Sequence, residues 1–270
     1  MAKSIFPIHA GGLIFPDRSA VFRYIVDTFR MYYDAVDVVR ETSNDAMIIS
    51  TTENEPYFNF CIHKEGDLSE CIARNKPIFE EFKREPLFYI SPASSYFGAE
   101  IPMKKFADDA YMFLQDESIL QDYQPDDSIK VELCEDEELY LEIFAKARSG
   151  DGDIYGAPPD VLEGLRKIFN GSRPPAGVKA FALMAYKDKT PAGNVIGVYN
   201  QDFMLLNGLG IVPEFRGLGI AKALTKEVIG HAHKLGIHTM TLQTESSSVN
   251  EAIYKKMGFA TKFNSAYYKA

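Results

Sequence analysis

Two glycines at the start of a long amphipathic helix constrain this chain more than any other feature of its sequence. The stretch from Leu205 to Leu224 reads Leu-Leu-Asn-Gly-Leu-Gly-Ile-Val-Pro-Glu-Phe-Arg-Gly-Leu-Gly-Ile-Ala-Lys-Ala-Leu. An apolar run ends at Pro213, and a helical stripe then continues through Leu224, Val228, Ala232 and Leu235. Gly208 and Gly210 predict a strand that bulges or lets another chain approach closely. Gly217 and Gly219 fall in the first turn of the helix, where each costs about 1 kcal/mol relative to alanine. No Ser, Thr, Asp or Asn stands just before the turn to cap its amides. Bare amides at the positive end of a helix dipole make an anion site, and Arg216 adds a fixed charge at its mouth. The competing reading is an amphipathic surface helix with a flexible start.

Two phosphate fingerprints do not fit. A P-loop requires Gly, four residues, Gly, Lys and then Ser or Thr, an order that Gly219-Ile220-Ala221-Lys222-Ala223 does not supply. A dinucleotide fold requires a third glycine where Lys222 stands. Arg216-Gly217-Leu218-Gly219-Ile220-Ala221 instead resembles the pyrophosphate signature of the GCN5-related N-acetyltransferases (GNAT), Arg/Gln-x-x-Gly-x-Gly/Ala, with Ile211, Pro213 and Glu214-Phe215 as matching flanks. The resemblance implies that the amides from Leu218 to Ala221, Gly219 and Ile220 among them, hold the pyrophosphate of coenzyme A, with Arg216 and Gly217 of the same signature as further cofactor-binding residues. It also implies that the strand edge at Leu209, Gly210 and Ile211 pairs with the pantetheine arm.

The remaining composition bounds the function. A 270-residue chain with 46% hydrophobic and 13% aromatic residues is a globular composition, long enough for two domains. Its net charge of -9 argues against a nucleic-acid partner and suits a cationic one such as an amine. Cys61, Cys71 and Cys134 form no Cys-x-x-Cys pair, and their odd number makes a poor disulfide framework, so reduced buried thiols are expected. No run approaches the roughly 18 apolar residues of a membrane span. The N-terminus, broken by Pro7, His9 and two glycines, makes a poor secretion signal, and a cytoplasmic protein is expected.

In chain order, Asp17 caps a helix to about Tyr33, followed by strand-like runs at Ala46–Ser50 and Tyr57–His63. A helix from Asp67 to about Lys83, a strand at Leu87–Ile90 and a short apolar run at Tyr111–Leu114 complete the first half. Gln121–Asp127 reads as a linker, giving an N-terminal domain at 1–124 and a second domain at 125–270. The first is a smaller α/β domain that resembles a degenerate GNAT half. It would act either as a wall or lid over the acceptor site, or as a stabilising domain or one that forms a homodimer.

The second domain reads as a strand at Ser128–Cys134, a helix at Glu135–Arg148, and a helix from Pro158 to near Phe169. Strands at Val178–Tyr186 and Val195–Gln201 flank a turn through Lys187–Gly193, and a strand at His238–Thr244 follows the long helix. A closing hairpin joins Phe259–Phe263 to Ala266–Lys269. Ser149–Gly156 is an acidic loop whose Asp151 and Asp153 suit an amine cation, and its ligand count does not meet that of a calcium loop. The order matches an α/β GNAT fold, a mixed central sheet flanked by helices.

Asn250-Glu251-Ala252-Ile253-Tyr254-Lys255-Lys256-Met257-Gly258-Phe259 resembles the family's Tyr-x-x-x-Gly-Phe ending. That resemblance makes Tyr254 the general acid for the coenzyme A thiolate; the alternative is a packing tyrosine. Ser247 stands where relatives often carry asparagine, and Asn250, one helical turn before Tyr254, is the candidate cofactor contact. Glu245 is the candidate base, with an ordered water as its rival, because Asn207 occupies a region where many relatives carry an acid. The histidines offer no metal-binding spacing, and no metal is expected. The expected activity is transfer of the acetyl group of acetyl-CoA to a small-molecule primary amine by direct attack. Acetylation of protein N-termini and non-catalytic sensing of acyl-CoA are the alternatives.

Overall fold

The computed structural model describes residues 8–9, 12–13, 17–31, 38–51, 54, 56–149, 162, 165–166, 169 and 177–270. The acidic loop beyond Ser149 and most of the helix expected after Pro158 lie outside the described residues. The chain forms two compact units. One comprises Met1–Met112 with Gln243–Ala252 and Thr261–Ala270; the other comprises Phe113–Leu242 with Ile253–Ala260.

The first unit opens with a two-residue pairing of β1 (Ile8–His9) and β2 (Gly12–Leu13). Helix α1 (Arg18–Met31) starts where the Asp17 carboxylate accepts the Ala20 amide at 2.9 Å. Strands β3 (Val38–Glu41), β4 (Asp45–Ile49) and β5 (Phe60–His63) form an antiparallel run. Helix α2 (Leu68–Glu81), capped by Asp67, crosses over to β6 (Leu87–Ile90), which pairs in parallel with β5. Strand β7 (Lys104–Leu114) extends well upstream of the apolar run at Tyr111. Alternation there is weak because Lys104, Lys105 and Phe106 are all exposed. Strand β13 (Phe259–Lys269) lies between β6 and β7 in the sheet order. It is one continuous strand rather than the expected hairpin; Asn264 is exposed and Ser265 buried in ordinary alternation. Aromatic rings fill this unit's core, with Tyr89 and Tyr267 centroids 4.5 Å apart and Phe29 4.7 Å from Phe60.

The second unit holds α3 (Ser118–Gln121), β8 (Ile129–Leu133), α4 (Glu137–Ala147), β9 (Lys179–Lys187), β10 (Thr190–Tyr199) and β11 (Met204–Ile211). Helix α5 (Ile220–Lys234) follows, then β12 (Met240–Glu245) and α6 (Val249–Lys255); the end of β12 from Gln243 and the start of α6 to Ala252 belong to the first unit. Strands β8 to β11 pair antiparallel in sequence order, and β11 pairs in parallel with the start of β12. The β9–β10 turn is tighter than expected: Asp188 and Lys189 take φ of 49° and 69°, a two-residue turn of the kind that matches strand twist. Pro191 and Gly193 therefore fall inside β10, where a register shift absorbs them. Helix α4 packs on β10 and β11, and α5 packs across β8 to β11. The layered result is an α/β fold with a mixed sheet. Among the described residues, no helix is long and apolar enough to cross a membrane.

Candidate active site

The second unit builds its site from the far end of β11. Strand β11 has one extra residue against β10: Asn194 faces Gly210 and Ile196 faces Asn207, with Gly208 at φ 63° in the bulge. On its other side, β11 pairs with β12 at Met204 and Leu205. The backbone from Asn207 to Ile211 thus passes beyond that pairing, and Leu209 and Ile211 are half-buried there. Helix α4 explains the glycines of the strand. A Cβ on Gly210 would stand 2.8 Å from the Ala147 Cβ, so the close approach read from the sequence is that of this helix.

Past Pro213 the chain makes a short 3₁₀ turn and reaches Arg216 in extended conformation. The Arg216 guanidinium donates to the Ile211 carbonyl at 3.2 Å and to the Ala147 carbonyl at 2.9 Å. It ties the loop to the end of β11 and satisfies a carbonyl left open at the end of α4. Gly217 and Gly219 take φ of 80° and 86°, a left-handed conformation that side chains resist. Gly219 is the N-cap of α5, and among the described residues no side-chain cap bond is made at that end. The first-turn amides around Leu218, Gly219, Ile220 and Ala221 therefore meet no carboxylate or hydroxyl from their own helix start.

The turn is held from outside. The Tyr123 hydroxyl donates to the Gly219 carbonyl at 3.1 Å, and Lys226 Nζ donates to the carbonyls of Gln121 and Tyr123 at 3.0 and 2.7 Å. Lys222 Nζ lies 5.5 Å over the Tyr123 ring, a second cation beside the helix start. The stretch read as a linker is thus a strap on α5. Neither Tyr123 nor Lys226 carries a local sequence signal for this role.

Tyr254 belongs to the same unit. Its ring meets Phe259 edge to face at 6.0 Å, and burial pushes its phenol up to about 12, against a smaller opposing pull from the Arg148 charge. Arg148 ends α4, with its guanidinium stacked 3.4 Å from the Phe144 ring centre. It also stands 3.1 Å from the position a Gly210 Cβ would take. A cation therefore stands at the bulged strand and within electrostatic reach of the candidate acid, and the sequence reading missed it. Its one signal was its place at the last residue of a helix beside an acidic loop.

Glu245 and Asn250 fall in the first unit. Glu245 is exposed, and its main-chain carbonyl accepts the Ser248 hydroxyl at 2.6 Å. Asn250 is exposed on α6. The buried acid of that helix is Glu251, 6% exposed, whose carboxylate accepts the Ser247 amide and the Thr261 hydroxyl. Ser247 holds φ 62°, a left-handed position that suits asparagine better than serine.

Residues 176–270 match the family model described as an acetyltransferase (GNAT) domain. A functionally unknown conserved protein from Staphylococcus epidermidis ATCC 12228 has a similar structure, with a TM-score of 0.66 at 14% identity over 88% of this chain and 95% of that one. A GCN5-related N-acetyltransferase from Kribbella flavida gives a TM-score of 0.66 at 14% identity over 92% and 95%. A tandem GNAT protein from the clavulanic acid biosynthesis pathway gives 0.58 at 12% identity over 86% and 81%. At these identities the likeness is one of fold. No curated protein matches the chain in sequence.

Proposed function

We infer that this chain, which carries a GNAT acetyltransferase domain in residues 176–270, transfers the acetyl group of acetyl-CoA to the primary amine of a small molecule. The observation that carries the reading is the start of α5, where two left-handed glycines lead in and no side-chain cap bonds the first amides among the described residues. Coenzyme A has the pyrophosphate such an end attracts. Its pantetheine arm carries amides that match the main-chain groups of β11 from Leu209 to Ile211. Arg216, bound to two carbonyls, keeps the loop in shape and adds positive charge near the phosphates.

The reaction then needs little covalent help from the protein. The amine nitrogen attacks the thioester carbonyl, the tetrahedral adduct collapses, and the thiolate of coenzyme A leaves. Positioning supplies much of the rate, and Tyr254 supplies a hydrogen bond to the departing sulfur. The amine loses its proton to Glu245 or to water. Glu245→Gln separates these: a base at Glu245 predicts a rate at neutral pH about 10²-fold lower, and a water route predicts no change. The net charge of -9 suits a cationic acceptor.

Calorimetric titration of acetyl-CoA into the wild type and into Gly217→Asp tests the cofactor site. Gly217 has open space around it, and aspartate tolerates a left-handed φ better than most residues, so the variant is expected to fold. Its carboxylate would cap the amides itself and repel phosphate. Affinity is expected to fall more than about 10-fold, the equivalent of ~1.4 kcal/mol. A wild type that binds no acetyl-CoA overturns the reading. Release of free thiol with small amines then establishes turnover. Binding with no release from any acceptor indicates a sensor, and release with peptide N-termini alone indicates a protein N-terminal acetyltransferase.

A further inference from the structure

The first unit holds a cluster that acetyl transfer does not use. Cys61 on β5 and Cys71 on α2 are 0% and 1% exposed, and their sulfurs lie 3.9 Å apart. Asp45, on β4 beside them, has its Oδ2 3.6 Å from the Cys71 sulfur. Asn75 Nδ2 stands 3.5 Å from the same sulfur and 3.1 Å from Asp45 Oδ2, and Arg74 pairs with that oxygen as well. Arg40 reaches the cluster through the Asn75 side-chain oxygen. His63, two residues along β5 from Cys61, bonds Ser94 through Nδ1 at 2.8 Å.

The two thiols are not equivalent. Hydrogen bonding from Cys61 pulls the Cys71 thiol below the usual thiol range, assisted by Arg74 and Asn75 against burial and the Asp45 charge. Burial, then the neighbouring Cys71, pushes Cys61 up. Geometry separates them too: the Cys71 sulfur has the Asn75 amide and the Asp45–Arg74 pair beside it, which marks it as the attacking thiol and Cys61 as its partner in disulfide formation.

The same three groups, Asp45, Cys61 and Cys71, lie within 4.8 Å of one another, a spacing a metal ion would also accept. The donor set argues otherwise. Asp45 Oδ2 already takes N–H groups from Arg74 and Asn75, and Oδ1 takes the Thr42 hydroxyl at 2.8 Å. A divalent cation there would displace hydrogen bonds and face the Arg74 guanidinium. The Cys71 S–H also donates to Oδ2, and the cluster suits a pair of thiols better than a metal.

We propose that Cys61 and Cys71 form a redox-active dithiol, a modification site at which a small hydroperoxide converts the two thiols into a disulfide that staples α2 to β5. The Cys71 thiol gives up its proton and its sulfur attacks the peroxide O–O bond, taking one oxygen as sulfenic acid, while the other oxygen takes that proton and leaves as an alcohol, or as water from hydrogen peroxide. The Cys61 sulfur then attacks the sulfenic sulfur and the hydroxyl leaves as water, taking up the Cys61 proton. Two thiols are oxidised, one peroxide is reduced, and one S–S bond forms. The sulfurs must close from 3.9 Å to a bond of about 2 Å.

The test is hydrogen peroxide titration of the native full-length protein, followed by alkylation under denaturing conditions and tryptic mass mapping. Free thiols are expected to fall from the three cysteines of the chain to one, Cys134. Trypsin should then yield a reductant-sensitive species joining peptide 41–64, which contains Cys61, to peptide 65–74, which contains Cys71, lighter by two hydrogens than the separate pair. In Cys61→Ser, a 1,3-dicarbonyl probe should label Cys71 as sulfenic acid, whereas Cys61 in Cys71→Ser should stay unlabelled. The wild-type cross-link carries the test even where a serine variant folds poorly. The proposal is overturned if both thiols remain alkylatable at doses that oxidise methionine, if they pass to sulfinic acid without linkage, or if the link forms through Cys134. Stoichiometric Zn²⁺ that protects both thiols overturns it in favour of a metal site.

Discussion

A phenol pushed up to about 12 keeps its proton at every pH where a thioester assay is run, so in the acetyl transfer proposed above Tyr254 would remain a hydrogen-bond donor throughout. Passing that proton completely to a thiolate of ordinary pKa ~8.5 would cost about 5 kcal/mol, so the role proposed for it is a hydrogen bond that strengthens as charge grows on sulfur. Tyr254→Phe is therefore expected to lower kcat by about 10²-fold while the KM for acetyl-CoA stays within about threefold. The wild-type rate should also show no fall near pH 10, where an ordinary tyrosine would deprotonate. A tyrosine that only packs against Phe259 would leave kcat nearly unchanged, and steady-state kinetics across pH distinguishes the two. Tyr123 gives a second residue-scale expectation. Its hydroxyl holds the Gly219 carbonyl, so Tyr123→Phe should cost ~1 kcal/mol of stability and weaken acetyl-CoA binding by loosening the turn.

At the scale of elements, the end of α6 is fixed more tightly than its sequence suggests. Gly258 has φ 92°, a Cβ there would lie 2.1 Å from the Asp116 carbonyl, and its own carbonyl accepts the amides of Gln115 and Asp116. Gly258→Ala should destabilise the protein by about 3 kcal/mol, combining left-handed strain with a backbone clash, as a lower denaturant midpoint at unchanged slope. A loss under about 1 kcal/mol would mean that the segment at Asp116 yields easily. The strand, turn and helix from β11 to α5 were legible in sequence because glycine and proline act locally: each marks a dihedral or a missing donor at its own position. Strand β7 was not, since Lys104, Lys105 and Asp108 break the alternation. Asn264-Ser265 looked like a turn, yet strand neighbours on both sides override that preference in β13. Tyr123 and Arg148 escaped for a different reason. Tyr123 acts on Gly219 from 96 residues away, and no local pattern encodes a partner at that separation.

For the molecule as a whole, pH acts through a buried acid in the first unit. Asp109 is held among Gln243, Tyr89 and Tyr267, and burial outweighs these hydrogen bonds to push its carboxyl from 3.8 up to about 7. The sign follows from linkage. Between 3.8 and about 7 the folded state keeps a proton that the unfolded chain has released, so stability is complete below that window, falls as pH rises through it, and is level above. Three units at 1.36 kcal/mol each set a scale of roughly 4 kcal/mol. Asp27 and Asp202, also raised by burial, add to the same trend. Asp45, pulled down chiefly by Arg74, and Asp126, held at about 2 by Ser128 and Lys187, act oppositely. Their stabilisation is present above 3.8 and is lost as pH falls further. The fold should thus be most stable in mildly acidic solution, with a midpoint temperature that declines from about pH 4 to pH 7. Asp109→Asn keeps the shape and removes the charge, so it should flatten that decline and raise the midpoint at pH 8 relative to the wild type. A scan in which the wild type is as stable at pH 8 as at pH 5, or in which Asp109→Asn melts lower at pH 8, would show that Asp109 is ionised and well paired in the folded protein.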